Sequence, residues 1–203
     1  MKRQTNINHT LIEARKMVNP NNQEFNLVVE FGSYMGSTLR QLRELFPHPD
    51  YTLVGCDSLQ GLPEDWRDGE GKLIGSGKKG RFGEGATRRW YDGIDNLKFY
   101  EGFFEDSIKP FLRDYMDCPA ALVHIDCDLY SSTNDVLYPL WDYGVIVPGT
   151  ILVFDEWYYN HENIAKNTVH EKKAFYEWVE TNPEIKYELV NIIEDERRIV
   201  KIL

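Results

Sequence analysis

The feature that most limits how this chain can fold is a repeated exchange of periods. Apolar runs of strand length alternate with segments whose apolar residues recur every three to four positions. "FNLVVEF" (25–31) leads to "STLRQLRELF" (37–46), where Leu39, Leu42, Leu45 and Phe46 share a helical face. "YTLVGCD" (51–57) and "LKFYEG" (97–102) read as strands, and "SIKPFLRDYM" (107–116) as a helix with Pro110 in its first turn, where a missing N–H costs least. "ALVHID" (121–126) and "GTILVFD" (149–155) enclose "STNDVLYPLWDYG" (132–144), a helix capped by Ser131 or Ser132 and disturbed near Pro139. A helix over "EKKAFYEWVETN" (171–182) precedes "IKYELVNII" and "RRIVKIL", which the polar turn "EDE" joins as a hairpin.

Strands that take turns with helices predict an α/β fold. Right-handed crossovers make the sheet parallel and doubly wound, and the closing hairpin adds an antiparallel edge. The 203 residues suit one domain (1–203), with 1–24 as an N-terminal helical extension. Residues 58–86, "SLQGLPEDWRDGEGKLIGSGKKGRFGEGA", form a Gly-rich connection far longer than an ordinary βα loop, which reads either as a lid over a site or as a mobile surface loop.

Ligands of such sheets bind beyond the carboxyl ends of the strands. Those ends read "VVEFGS", "VGCDS", "YEGFF", "HIDCD" and "VFDEW", each with an acidic residue or glycine. In the first, Gly32 permits a tight turn and Gly36 a close approach to a helix N-terminus, in GxxxG rather than GxGxxG spacing. Asp57 ends the second strand, where an acidic side chain can accept from two ribose hydroxyls; a turn-forming role is the plainer alternative. Asp126 ends one later strand and Asp155 and Glu156 the next. Adjacent parallel strands would bring these hard oxygen donors together as a Mg²⁺ site, with Mn²⁺ or Ca²⁺ as substitutes, whereas helix capping explains them without a ligand.

A net charge of −10 argues against a nucleic-acid surface, and "GKKGR" (77–81) is too short to reverse that. Cys56, Cys118 and Cys127 lack CxxC spacing and read as reduced thiols. No apolar run reaches the ~20 residues of a membrane span, and "MKRQTNINHTLIEARKMV" lacks a signal-peptide core, so a soluble, cytoplasmic protein is expected.

"VVEFGSYMGST", "CDSLQGLPEDW", "FYEGFFEDSI", "HIDCDLYSST", "GTILVFDEW" and "EKKAF" together resemble the successive motifs of class I S-adenosylmethionine-dependent methyltransferases, closest to the macrocin O-methyltransferase group. The resemblance spans roughly residues 25–180 and implies a seven-stranded Rossmann-like sheet with a terminal antiparallel hairpin. It implies that Glu30, Gly32, Ser33, Gly36 and Ser37 surround the amino-acid part of S-adenosylmethionine, Asp57 and Ser58 its ribose, and Gly102 and Phe103 its adenine, with Asp126 close by. Asp126, Asp155 and Glu156 match the group's divalent-metal positions, and the acceptor would be a hydroxyl of a small molecule such as a sugar.

Three features depart from the family pattern. The second metal position reads Asp155-Glu156 rather than Asp-Asp or Asp-Asn, the N-terminal part is shorter than in many relatives, and Leu129 stands where related catechol-type enzymes carry a catalytic lysine. Asp128 is then the favoured proton acceptor, with His161 and His170 as further candidates. Trp157, Tyr158 and Tyr159 could stack on an acceptor or pack in a core. A homo-oligomer is compatible with the sequence. Two other readings remain: the Asp-x-Asp at 126–128 could serve a metal-dependent nucleotide-sugar glycosyltransferase, or the fold could be a non-catalytic, cofactor-binding scaffold. "GSGKKG" does not meet the P-loop pattern.

Overall fold

Seven strands form one sheet in the order β3-β2-β1-β4-β5-β7-β6: β1 Leu27–Phe31, β2 Thr52–Asp57, β3 Leu97–Glu101, β4 Ala120–Ile125, β5 Ile151–Phe154, β6 Tyr187–Val190 and β7 Arg198–Ile202. The first five are parallel, while β7 runs antiparallel to both β5 and β6. The computed structural model describes residues 8–157, 169–190 and 197–203. The mostly parallel sheet with its antiparallel terminal hairpin is therefore as expected, although the proposed turn "EDE" lies outside the described residues.

β1, β4 and β5 are buried along their whole length because helices cover both faces, which is why they read as unbroken apolar runs. On one face α1 (His9–Met17) and α2 (Ser37–Leu45) set Leu11, Ala14, Leu39 and Leu42 against Val28, Leu122, Val153 and Ile199. On the other, α3 (Phe104–Tyr115), α4 (Tyr130–Asp142) and α5 (His170–Thr181) cover Val29, Val123, Leu152 and Val200 with Phe111, Val136, Phe175 and Trp178. The edge strands β3 and β6 stay partly exposed and carry Lys98, Glu101 and Glu188.

Two helix starts differ from expectation. α3 begins at Phe104, and Glu105 and Asp106 in its first turn favour that early start through the helix dipole, so Pro110 lies in the second turn. α4 begins at Tyr130, which puts Ser131 and Ser132 inside the helix rather than at its cap. The Thr133 hydroxyl instead donates to the Leu129 carbonyl at 2.8 Å. No described helix is long and apolar enough to cross a membrane.

Candidate active site

The strand order reverses between β1 and β4, and the main chain just past these strands is held as tightly as the sheet itself. Asp126 N–H donates to Phe31 O at 2.9 Å, Gly32 N–H to Cys56 O at 2.9 Å, and Asp155 N–H to Ile125 O at 2.9 Å. Gly32 has φ +91°, and a Cβ there would lie 1.8 Å from the Asp126 carbonyl oxygen, so only glycine lets the two loops meet. Gly36 caps α2 at φ +72° against the Tyr91 ring; a side chain is its close neighbour.

A cavity of about 520 Å³ opens over these ends. Gly32, Asp57, Ser58, Gly102, Phe103 and Asp126 of the expected cofactor set line it, as do Asp128 and Glu156. Glu30, Ser33, Gly36, Ser37 and Asp155 are not among its lining residues. Asp57 holds the cavity floor: its Oδ2 accepts from Ser33 and Tyr34 N–H, both at 2.9 Å, and its Oδ1 from Leu59 N–H at 2.7 Å. A carboxylate offers about four lone-pair sites, so capacity remains for a hydroxyl.

The 58–86 connection closes one side. Leu62, Trp66 and Ile74 bury against Leu129, with Phe82 alongside. Glu64 accepts from the Ser131 hydroxyl at 2.6 Å, and His170 Nε2 donates to Arg67 O at 2.6 Å. In "GKKGR", Gly80 N–H donates to Leu62 O at 2.9 Å, which ties that stretch into the loop. With Nε2 so used and the ring absent from the cavity wall, His170 is a strut. Trp157 is 1% exposed and packs on Phe154 and Phe175, so it belongs to the core. Tyr158, Tyr159 and His161 lie outside the described residues.

Asp155 and Glu156 go separate ways. Asp155 joins a ladder across β1, β4, β5 and the start of β7: Glu30 Oε1 to His124 Nδ1 at 3.1 Å, His124 Nε2 to Asp155 Oδ1 at 3.6 Å, then Asp155 to the Arg197 guanidinium. Burial pushes the His124 imidazole down, but Asp155 and Glu30 outweigh it and raise its pKa to about 9. Burial raises Asp155 as well, yet His124 and Arg197 bring it below the usual range. Glu30, His124 and Asp126 offer atoms within 4.8 Å of one another, a spacing a metal could use. An imidazolium has no free lone pair, so with its pKa raised to about 9 His124 is the ion-pair partner of Glu30 and Asp155 and not a ligand at neutral pH.

The cavity side is charged differently. Burial, then the charges of Asp155 and Asp128, lift the Asp126 carboxyl well above its ordinary pKa. Asp128 is pushed up to about 7 by burial and by Asp155 and Asp57. Among the described lining residues, Asp57, Glu64, Glu105, Asp126, Asp128, Asp135 and Glu156 are acidic and none is Lys, Arg or His. Such a surface favours cationic or hydrogen-bond-donating ligands.

Comparison with known proteins agrees with the motifs. A model of the macrocin-O-methyltransferase (TylF) family matches residues 85–181, the segment from before β3 through α5. The structure is similar to CalS11, a calicheamicin methyltransferase, at TM-score 0.66 and 18% identity over 95% of this chain and 79% of that one. The likeness is one of fold, shared with solved methyltransferases. The Bacillus cereus O-methyltransferase solved with S-adenosylhomocysteine gives TM-score 0.59 at 13% identity, covering 98% of this chain and 83% of that one. TomG from Streptomyces achromogenes, solved with S-adenosylmethionine, gives 0.54 at 14% identity, covering 94% and 79%. A search of curated proteins finds no match. The expected resemblance to class I methyltransferases of the macrocin group thus holds for the fold and for the matched segment.

Several residues that shape this cleft escape a motif reading. His124 stands in "HIDCD" beside the noticed carboxylates, and only the register pairing it with Glu30 reveals the ladder. Glu171 opens "EKKAF", yet its contacts are 15 to 44 residues away. Trp66, Phe82 and Glu64 lie in a loop without periodicity.

Proposed function

We propose that the chain is an S-adenosylmethionine-dependent O-methyltransferase acting on a hydroxyl of a small molecule, a sugar or glycosylated metabolite. The observation that carries this reading is the cavity at the reversal of strand order, bordered by Gly32, Asp57, Ser58, Gly102 and Phe103. A sulfonium cofactor bears positive charge, which an acidic cavity attracts. Gly32 borders the cavity where its amino-acid part would lie, Asp57 retains acceptor capacity for ribose hydroxyls, and Phe103 offers an apolar face to adenine. A related structure, CalS11, is described as a TDP-rhamnose 3'-O-methyltransferase, which supports a sugar hydroxyl as acceptor.

Transfer is a direct displacement. An acceptor oxygen lone pair forms the bond to the methyl carbon while the carbon–sulfur bond breaks and its electrons return to sulfur, so the oxygen must be aligned and freed of its proton. Asp128 is the proton acceptor in this reading, since a pKa of about 7 suits proton transfer near neutrality. In donor chemistry the cavity fits Mg²⁺: Asp126 and Glu156 supply hard oxygens, and repulsion among Asp126, Asp155 and Asp128 would be relieved by a cation. Asp155 would have to release Arg197 to complete the expected set. When bound, the ion would lower the acceptor hydroxyl's pKa. Residues 58–86 serve as the cover of the acceptor side in this reading.

Calorimetry with S-adenosylmethionine and S-adenosylhomocysteine, followed by radiolabelled methyl transfer to TDP-rhamnose, a glycosylated macrolide and a catechol, tests the proposal with and without EDTA. Cofactor binding with transfer to at least one acceptor supports it. Binding of a nucleotide sugar but neither cofactor form would give way to the glycosyltransferase reading, and cofactor binding without any transfer to the scaffold reading.

A further inference from the structure

The first turn of α5 carries a carboxylate where the fold has no obvious need of one. Glu171 is wholly buried. Its Oε1 accepts from Cys127 N–H at 2.9 Å and Asp128 N–H at 3.2 Å, and its Oε2 from Glu156 N–H at 3.0 Å. One side chain therefore grips both loops that present carboxylates to the cavity, the one after β4 and the one after β5. Asp128 itself has φ +59°, a left-handed conformation unfavourable to a residue with a Cβ, which persists only where surrounding contacts fix it. Sealing a helix end would take only a short polar cap, whereas burying a carboxylate is expensive. The expense is understandable if the two loops must be held in fixed relation.

We propose that Glu171 is a positioning residue: by accepting main-chain N–H groups from both loops, it sets the directions of Asp128 and Glu156 toward a shared point in the cavity. It touches neither cofactor nor acceptor. The proposal goes beyond the assignment of methyl transfer, and only its kinetic arm rests on that assignment. The two oxygens divide the work, so their replacement should be unequal. In Glu171→Gln the amide oxygen can serve Cys127 and Asp128, but the NH₂ group cannot accept from Glu156. In Glu171→Ala all three N–H groups lose their partner.

The test compares the two variants with the wild-type full chain. Residue-resolved amide exchange should accelerate at least roughly tenfold at Glu156 alone in Glu171→Gln, and at Cys127, Asp128 and Glu156 together in Glu171→Ala. Affinity for S-adenosylhomocysteine should stay within about twofold of wild type in Glu171→Gln, while kcat for the fastest acceptor named above falls about tenfold. Unchanged exchange at Glu156 in Glu171→Gln overturns the proposal, as does full turnover when that amide is released. A loss of cofactor affinity parallel to the loss of kcat would mean a merely structural role. If Glu171→Ala does not fold, Glu171→Gln alone decides. If wild type methylates nothing, the methyltransferase reading fails while the exchange pattern still judges the grip on the loops.

Discussion

Two groups of carboxylates meet at the strand ends, Asp155 and Glu156 being adjacent in sequence, and end in opposite electrostatic situations. On the α1/α2 face, Glu30 and Asp155 are interleaved with His124 and Arg197, so each negative charge has a positive neighbour. On the cavity side, Asp126, Asp128 and Glu156 share a wall with further acids and no described cation. The first arrangement is internally compensated and belongs to the scaffold. Burial raises Glu30 despite His124, but in the second group the carboxylates' own charges add to burial in raising Asp126 and Asp128, and a positively charged ligand would relieve them. Asp155 and Glu156, adjacent just past β5, divide between the two: Asp155 pairs with His124 and Arg197, and Glu156 lines the cavity.

The largest expected effect breaks the compensated side. His124→Phe leaves Glu30 buried without its partner and should cost about 3–5 kcal/mol in denaturant unfolding, as removal of one member of a buried pair does. A loss below about 1 kcal/mol would show that the ladder contributes little. The same logic predicts the reverse for the cavity. Asp126→Asn should lower methyl transfer about 100-fold or more, while thermal stability holds or rises because repulsion is relieved. A marked fall in Tm would erase the distinction between the two groups.

Titration sharpens the contrast. The folded-state pKa of His124 is raised to about 9, so its stabilisation is present below about pH 6.5 and lost as pH rises through 9. Asp128 at about 7 and Glu171 at about 8 are also raised, and burial is the first cause of both; the folded state binds the extra proton, so these terms too weaken with rising pH. Asp155 is lowered, and its contribution disappears as pH falls into and below the carboxylate range. Tm should therefore drop by at least about 5 °C between pH 6.5 and 9.5. Saturating S-adenosylhomocysteine should raise Tm across that range. A flat profile would contradict the raised imidazole.

The smallest effect concerns the loop cover. Ser131→Ala removes the 2.6 Å bond to Glu64 and should change global stability by less than about 0.5 kcal/mol. The KM for the acceptor should nevertheless rise several-fold, and an unchanged KM would remove the 58–86 segment from the acceptor site.

Much of the architecture was readable from periodicity because a strand buried on both faces must be apolar throughout, and β1, β4 and β5 are. Helix ends were read less well at Phe104 and Tyr130, where first-turn charges and a Thr133 back-bond, rather than the apolar stripe, set the boundary. Gly32, Asp57, Gly102 and Asp126 could be picked out because each ends a strand and so must face the cavity. Glu30, one residue inside the end of β1, and Asp155, just past β5, instead pair with His124 and do not line the cavity.

Sequence alone thus determined the alternation of elements, the parallel sheet and the acidic rim above it, since these follow from local periods and from the rule that strands end where ligands bind. Only tertiary structure decided which carboxylates are compensated. His124, Glu171 and Arg197 reach their partners across 15 to 94 residues of chain. Charge pairing at such separations is set by strand register and side-chain facing, which no local pattern encodes.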